Sequence, residues 1–143
     1  MSNYYQLHRD TLLPKQIEYE RDKYENNQEF MLFKRVQSRI NNHFKSEKHK
    51  AEDLLSCSPK FFFSYIHFCL KDTRRARIDL SKINLHHVTP LESDPDNLDL
   101  WHFTNIMPVL ESENLRQGSN RDREKEEEQL RRVIRFLKSI QLK

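Results

Sequence analysis

Two adjacent histidines, His86 and His87, close a short β-prone run at residues 83–88 that ends just before Pro90. Histidine titrates near 6.5, so near physiological pH its neutral ring can accept a proton or ligate a metal. Beyond the pair lies a polar, proline-containing loop, residues 89–103, carrying Asp94, Asp96 and Asp99. Asn105 opens a second short apolar run, 106–110, and Asn114 sits in a helix-prone stretch, 111–117, stopped by Gly118. A bare pair of histidines is more often two packing residues than a site. The chemistry therefore depends on the elements that hold the pair.

Those elements are mostly helical. Residues 14–26 are polar and rich in Glu, Lys and Tyr, which predicts an exposed helix with Pro14 near its first turn. From residue 28 to 44, Phe33, Val36, Ile40 and Phe44 fall on one helical face. A hydrophilic linker, 45–50, leads to a short helix carrying Leu54 and Leu55. Ser58-Pro59 is a helix start, a capping hydroxyl followed by proline in the first turn. Phe62, Tyr65, Ile66 and Cys69 then point inward at helical spacing, and Arg74, Arg75 and Arg77 end the pattern with the densest positive charge in the chain. The second short strand, 106–110, contains Pro108 and is expected to be irregular or at an edge. Residues 119–143 read as the clearest helix, with Leu130, Val133, Ile134, Leu137 and Ile140 as its stripe and core packing as the stripe's expected use. Acids fill the first half of that helix and bases its second, as the helix dipole favours.

Strand, loop, strand and short helix is the order in which an HNH nuclease presents its site, and the local motifs resemble that family. HHVTPLE is similar to its DHIIPL element, HFTNIMPV to HYTNLQPL, and ENLRQGSN to DNRSKGNK. Upstream, RVQSRIN (35–41) and DLLSCSPKFFFSYI (53–66) resemble the helical segment preceding the motif in many phage and large-virus members. The likeness covers residues 35–120 in order.

This resemblance implies an α+β fold, mainly helical, with a ββα-metal motif at 83–118 and a C-terminal helix. It divides the chain into an N-terminal helical region (1–80), the motif (81–119) and the last helix (120–143), all within one domain. It assigns His87 as the base that activates water and Asn105 as the residue that fixes the loop through backbone hydrogen bonds. His86 and Asn114 would hold one divalent ion, and phosphodiester hydrolysis needs such a Lewis acid beside the activated water. His86 stands where many members have aspartate, although a His-His pair also occurs in nuclease colicins. Mg2+ is the expected ion, with Mn2+, Ni2+ or Zn2+ admitted because imidazole suits them better. Gln117 replaces a common lysine, a loss that Arg116, Arg121 and Arg123 can offset. Arg74, Arg75 and Arg77 are the remaining candidates for phosphate contact. His102, Trp101 and Phe103 are expected to pack, and one of Asp94, Asp96, Asp99, Glu111 or Glu113 is a minor candidate for the missing carboxylate.

Composition is compatible with this reading and does not establish it. The chain has 143 residues, 36% hydrophobic and 33% charged, with a formal charge of +3. That charge is too mild to imply nucleic-acid binding by itself. There is no apolar run of membrane-spanning length and no hydrophobic signal stretch at the N-terminus. Cys57 and Cys69 are not spaced as a CxxC pair and read as reduced, mostly buried thiols. The expectation is a cytoplasmic endonuclease acting on double-stranded DNA as monomer or homodimer, with no membrane partner. No sequence-reading module is evident, which predicts low sequence specificity. Two rival readings stand beside it: a catalytically inactive nucleic-acid-binding protein that keeps the HNH scaffold, and a helical interaction protein whose histidines are incidental.

Overall fold

The computed structural model describes residues 28–111 and 121–141. The predicted helix at 14–26 lies outside them, as does most of the stretch 111–117. The described chain is α+β, with helices α1 (Gln28–His43), α2 (Ala51–Leu55), α3 (Pro59–Asp72) and α4 (Arg123–Gln141) around a hairpin of β1 (Ile83–His87) and β2 (Ile106–Leu110). Three short 3-10 turns, Leu91–Ser93, Leu98–Trp101 and Phe103–Asn105, shape the connection between the strands, and a fourth, Leu80–Lys82, leads into β1.

Local signals in the sequence account for several boundaries. Ser58 accepts a hydrogen bond from the Phe61 amide at 3.2 Å, and Pro59 occupies the first turn of α3. Asn97 and His102 cap the turns at Leu98–Trp101 and Phe103–Asn105 in the same manner. One hydrophobic cluster draws Leu32, Val36 and Ile40 from α1, Phe62, Tyr65 and Ile66 from α3, Ile83 and Leu85 from β1, Ile106 from β2, and Val133 and Phe136 from α4. Trp101 and Phe103, from the loop, are buried in it. Cys57 and Cys69 are free thiols, and burial pushes both up to about 12, which leaves them protonated and unreactive at neutral pH.

β1 and β2 pair antiparallel in continuous register, from Ile83 opposite Leu110 to His87 opposite Ile106. Pro108 does not disrupt the ladder, because it faces Leu85 at a position where no inter-strand hydrogen bond is needed. By the same alternation Ile83, Leu85 and His87 turn their backbone groups away from β2.

The apolar stripe of the C-terminal helix does not pack as expected. Leu130, Ile134, Leu137 and Ile140 are exposed by 61%, 44%, 39% and 39%, and only Val133 of the stripe is buried. The buried face is Gln129, Arg132, Val133 and Phe136. Phe136 meets Phe61, Tyr65 and Phe68 with ring centroids 5.3–5.5 Å apart. Counting apolar residues misses this face because two of its members are polar and bury only where partners await them. Arg132 donates to Asp72 (3.1 Å), Gln129 (2.8 Å) and Glu128 (3.2 Å), and Arg135 donates to the same Asp72 oxygen at 2.8 Å.

Partial burial opposes ionisation of Asp72, but the bonds from Arg135 and Arg132 outweigh it and hold the carboxyl below the usual carboxylate range. A depressed folded-state pKa stabilises the protein above the unfolded value, about 3.9, and that contribution is lost as pH falls through the folded value. Melting temperature is therefore expected to drop below about pH 4, and Asp72→Asn is expected to flatten that drop while lowering stability at pH 7. Unchanged acid sensitivity in thermal melts of the variant would count against this ion-pair cluster as a source of stability.

Candidate functional site

Strand alternation decides where the two histidines go. Ile83 and Leu85 are buried, so His87, in phase with them, turns toward the same side, while Asn84 and His86 take the other. The His87 ring stands edge-to-face against Trp101, with centroids 4.7 Å apart and planes at 77°. The residue is half-buried, yet its Nε2 is fully covered and has no hydrogen-bond partner among the described residues. Burial, reinforced by the positive charge of Arg39 and by His86 and His43, pulls its pKa down to about 3. The ring is thus neutral at physiological pH, the form that can accept a proton, although its basicity is low until negative charge approaches.

The loop after His87 is clamped by Asn105. The Asn105 Oδ1 accepts from the Thr89 amide at 2.8 Å, while Nδ2 donates to the Thr89 carbonyl at 3.1 Å and to the Leu100 carbonyl at 2.8 Å. The Val88 amide donates to the Asn105 carbonyl at 2.8 Å, extending the ladder by one rung. One amide side chain therefore joins the end of β1, the far end of the loop and the start of β2.

Asn105 is itself held from behind. Tyr65 Oη donates to the Ile106 carbonyl at 2.6 Å, and Gln129 Nε2 donates to the Thr104 carbonyl at 2.8 Å. Gln129 also bonds Tyr65 Oη, and Arg132 donates to the Gln129 amide oxygen. Through this buried chain the C-terminal helix fixes the peptide groups on both sides of Asn105. Thr89 Oγ1 donates to Glu126 at 2.5 Å, and Arg121 pairs with Glu126 at 2.9 Å. The Thr89 bond first, then Arg121, hold Glu126 below the usual carboxylate range.

Helix α1 contributes residues that sequence reasoning did not single out. Arg35 Nη1 donates to the carbonyls of Leu80 (3.0 Å) and Ile83 (3.3 Å), and Arg39 Nη1 donates to the carbonyl of Leu85. One helical step of four residues rises about 6 Å and two strand residues about 6.6 Å, so side chains at i and i+4 of α1 meet alternate outward carbonyls of β1. His43, one step further, stands edge-on to Trp101 at 5.6 Å, and its Nε2 meets the Pro95 carbonyl at 2.8 Å. The i, i+4, i+8 spacing of Arg35, Arg39 and His43 was visible in the sequence, but its target was not.

Of the remaining expected residues, Arg74 and Arg77 are exposed and Arg75 is half-buried on the turn after α3, with Arg74 at φ 62°. None of the interactions described at His87 or Asn105 involves them. Arg123 is exposed at the start of α4, and the Arg121 guanidinium is engaged by Glu126. Asn114, Glu113 and Arg116 lie outside the described residues. His102 caps its own turn, its Nδ1 accepting from the Thr104 amide at 3.2 Å. Asp94, Asp96, Asp99 and Glu111 are exposed. Among the described residues no three or more His, Cys, Asp or Glu side chains come together to hold a metal ion, and of the expected ligand pair only His86 is described. No helix among them is long and apolar enough to cross a membrane.

No family model, no curated protein and no solved structure matches this chain.

Proposed function

We propose that the protein is a metal-dependent DNA endonuclease that hydrolyses phosphodiester bonds, with His87 as general base and Asn105 as its positioning residue. The observation that supports this most is the clamp. A neutral histidine ends β1, and the first residues of its loop are bonded through both backbone groups of Thr89 to the asparagine that opens β2. The HNH resemblance implies that arrangement, and a site built to move a proton needs such rigidity. An approaching phosphodiester supplies negative charge beside Arg39 and His43 and so raises the basicity of His87.

A divalent ion held by His86 and Asn114 would polarise the phosphate and stabilise the departing 3′ oxygen. That donor set, an imidazole and an amide with no carboxylate, favours Mn2+, Ni2+ or Zn2+ as readily as Mg2+.

One observation favours the rival reading, a non-catalytic nucleic-acid-binding protein on the same scaffold: the covered Nε2 and lowered basicity of His87. Supercoiled plasmid incubated with the protein and Mg2+, Mn2+, Ni2+ or Zn2+ in turn separates the two. Conversion to nicked circles with at least one ion, absent in chelator, is the expected result. Plasmid binding with no nicking under any ion would replace the endonuclease reading with the rival.

A further inference from the structure

A cleft of about 370 Å3 runs between α1 and β1, walled by Lys34, Arg35, Ser38 and Arg39 on the helix side and by Ser81 and Asn84 on the other. The four helix residues fall at i, i+1, i+4 and i+5, and so share one side of α1. Lys34 and Ser38 are exposed at the lip, whereas Arg35 and Arg39 are half-buried along the floor. Each guanidinium is anchored through one nitrogen, Arg35 to the carbonyls of Leu80 and Ile83 and Arg39 to that of Leu85, which leaves its other N–H groups outside these bonds.

The electrostatics of this cleft are unbalanced. Neither Lys34, Arg35 nor Arg39 makes an ion pair among the described residues, although ion pairs occur readily elsewhere in the chain. Two guanidiniums one helical turn apart also repel each other, and burial together with Arg35 lowers the pKa of Arg39. Desolvated, unpaired like charges are costly unless a counter-ion is bound. One carboxylate, Glu111, lies on the lining, and Asp79 bears on Arg35 from nearby while capping the Ser81 amide. The positive charge still exceeds the negative along the α1 wall.

We infer that this cleft is the track for the sugar-phosphate backbone of double-stranded DNA, with Lys34, Arg35, Ser38 and Arg39 as phosphate-contacting residues. Arg35 and Arg39 offer planar forks to phosphate oxygens, Lys34 a point charge at the lip, its Nζ 5.2 Å from the centroid of the Phe30 ring, and Ser38 a hydroxyl. Because Arg39 is bonded to the Leu85 carbonyl, two residues before His87, a strand seated here runs toward the end of β1. The inference rests on the reading of the chain as a DNA-acting protein, but it is read by binding and not by cleavage. It moves the main contact surface from the turn at Arg74, Arg75 and Arg77 to α1.

The test is equilibrium binding of a labelled DNA duplex to the full chain in chelator, as a function of salt. Lys34→Glu combined with Ser38→Glu alters only exposed positions and leaves the carbonyl anchors intact. Lys60→Glu combined with Lys138→Ala makes the same net charge change at exposed positions on α3 and α4 that do not line the cleft. The cleft variant is expected to bind at least about tenfold more weakly, with a salt dependence shallower by about one unit of slope or more. Its melting temperature should match the wild type, and the control variant should bind close to normally. Wild-type affinity in the cleft variant, an equal loss in the control, or no duplex binding by the wild-type protein overturns the inference. Nicking with metal is scored separately: loss of binding in the cleft variant with no nicking under any ion leaves the cleft standing and removes the endonuclease.

Discussion

Replacing His87 by alanine is expected to lower plasmid nicking by about 10²- to 10⁴-fold, the usual contribution of a positioned general base, while duplex binding and fold are kept. The fold should survive because the ring's balance sheet is nearly even. Its edge-to-face contact with Trp101 is worth about 0.5–1.5 kcal/mol. Against that, alanine removes a buried nitrogen without a partner among the described residues, a defect costing about 1–3 kcal/mol. A small change in melting temperature of either sign follows. Binding should persist because the charges along α1 do not depend on the imidazole. Nicking rates at saturating metal, duplex affinity in chelator and a thermal melt, measured on one preparation, separate the three effects. A His87→Ala protein that nicks at the wild-type rate removes His87 from the chemistry.

Asn105→Ala should act on a different quantity. The side chain makes three hydrogen bonds to main-chain groups of Thr89 and Leu100. Each contributes about 1 kcal/mol net, and the groups left unpaired add a desolvation cost. A loss of about 3 kcal/mol or more is expected, a large share of the roughly 5–15 kcal/mol that holds a domain together. At a few degrees per kcal/mol for a chain of this size, the melting temperature falls by about 10 °C. Nicking measured well below that melting point should still fall sharply, because the loop carrying His87 loses its clamp. Asn105→Asp is the sharper variant. Its carboxylate can still accept from the Thr89 amide, but it presents oxygen to the Thr89 and Leu100 carbonyls where Nδ2 donated. Aspartate should therefore rescue little. A stable, fully active Asn105→Asp protein would show that the two donor bonds do not matter.

The residues of the clamp were legible in the sequence because they sit within one short stretch, 83–110, whose strand and loop signals are local. His86-His87, the loop and Asn105 occur in the order in which the hairpin joins them. The direction of His87 was legible too, since apolar residues at 83 and 85 put position 87 in the same phase. What that phase leads to was not. Trp101, the ring against His87, and His43, the ring against Trp101, come from 14 residues downstream and 44 upstream of His87, and no spacing rule pairs them. Asn114, the other residue expected to hold the ion, lies outside the described residues.

Chain-local chemistry by itself determined the helix start at Ser58-Pro59, the inward face of α3, the two short strands and the reduced state of the cysteines. Each depends on groups a few residues apart, whose geometry the backbone dictates. Only the tertiary structure decided which face of the last helix is buried, that Gln129 and Arg132 brace Asn105 from behind, and that Arg35 and Arg39 cap the outer carbonyls of β1. Burying a polar side chain is favourable only when its partner is already in place across the core. That partner is 23 to 64 residues away in these cases, so the preference belongs to the assembled fold and cannot be read from either residue alone.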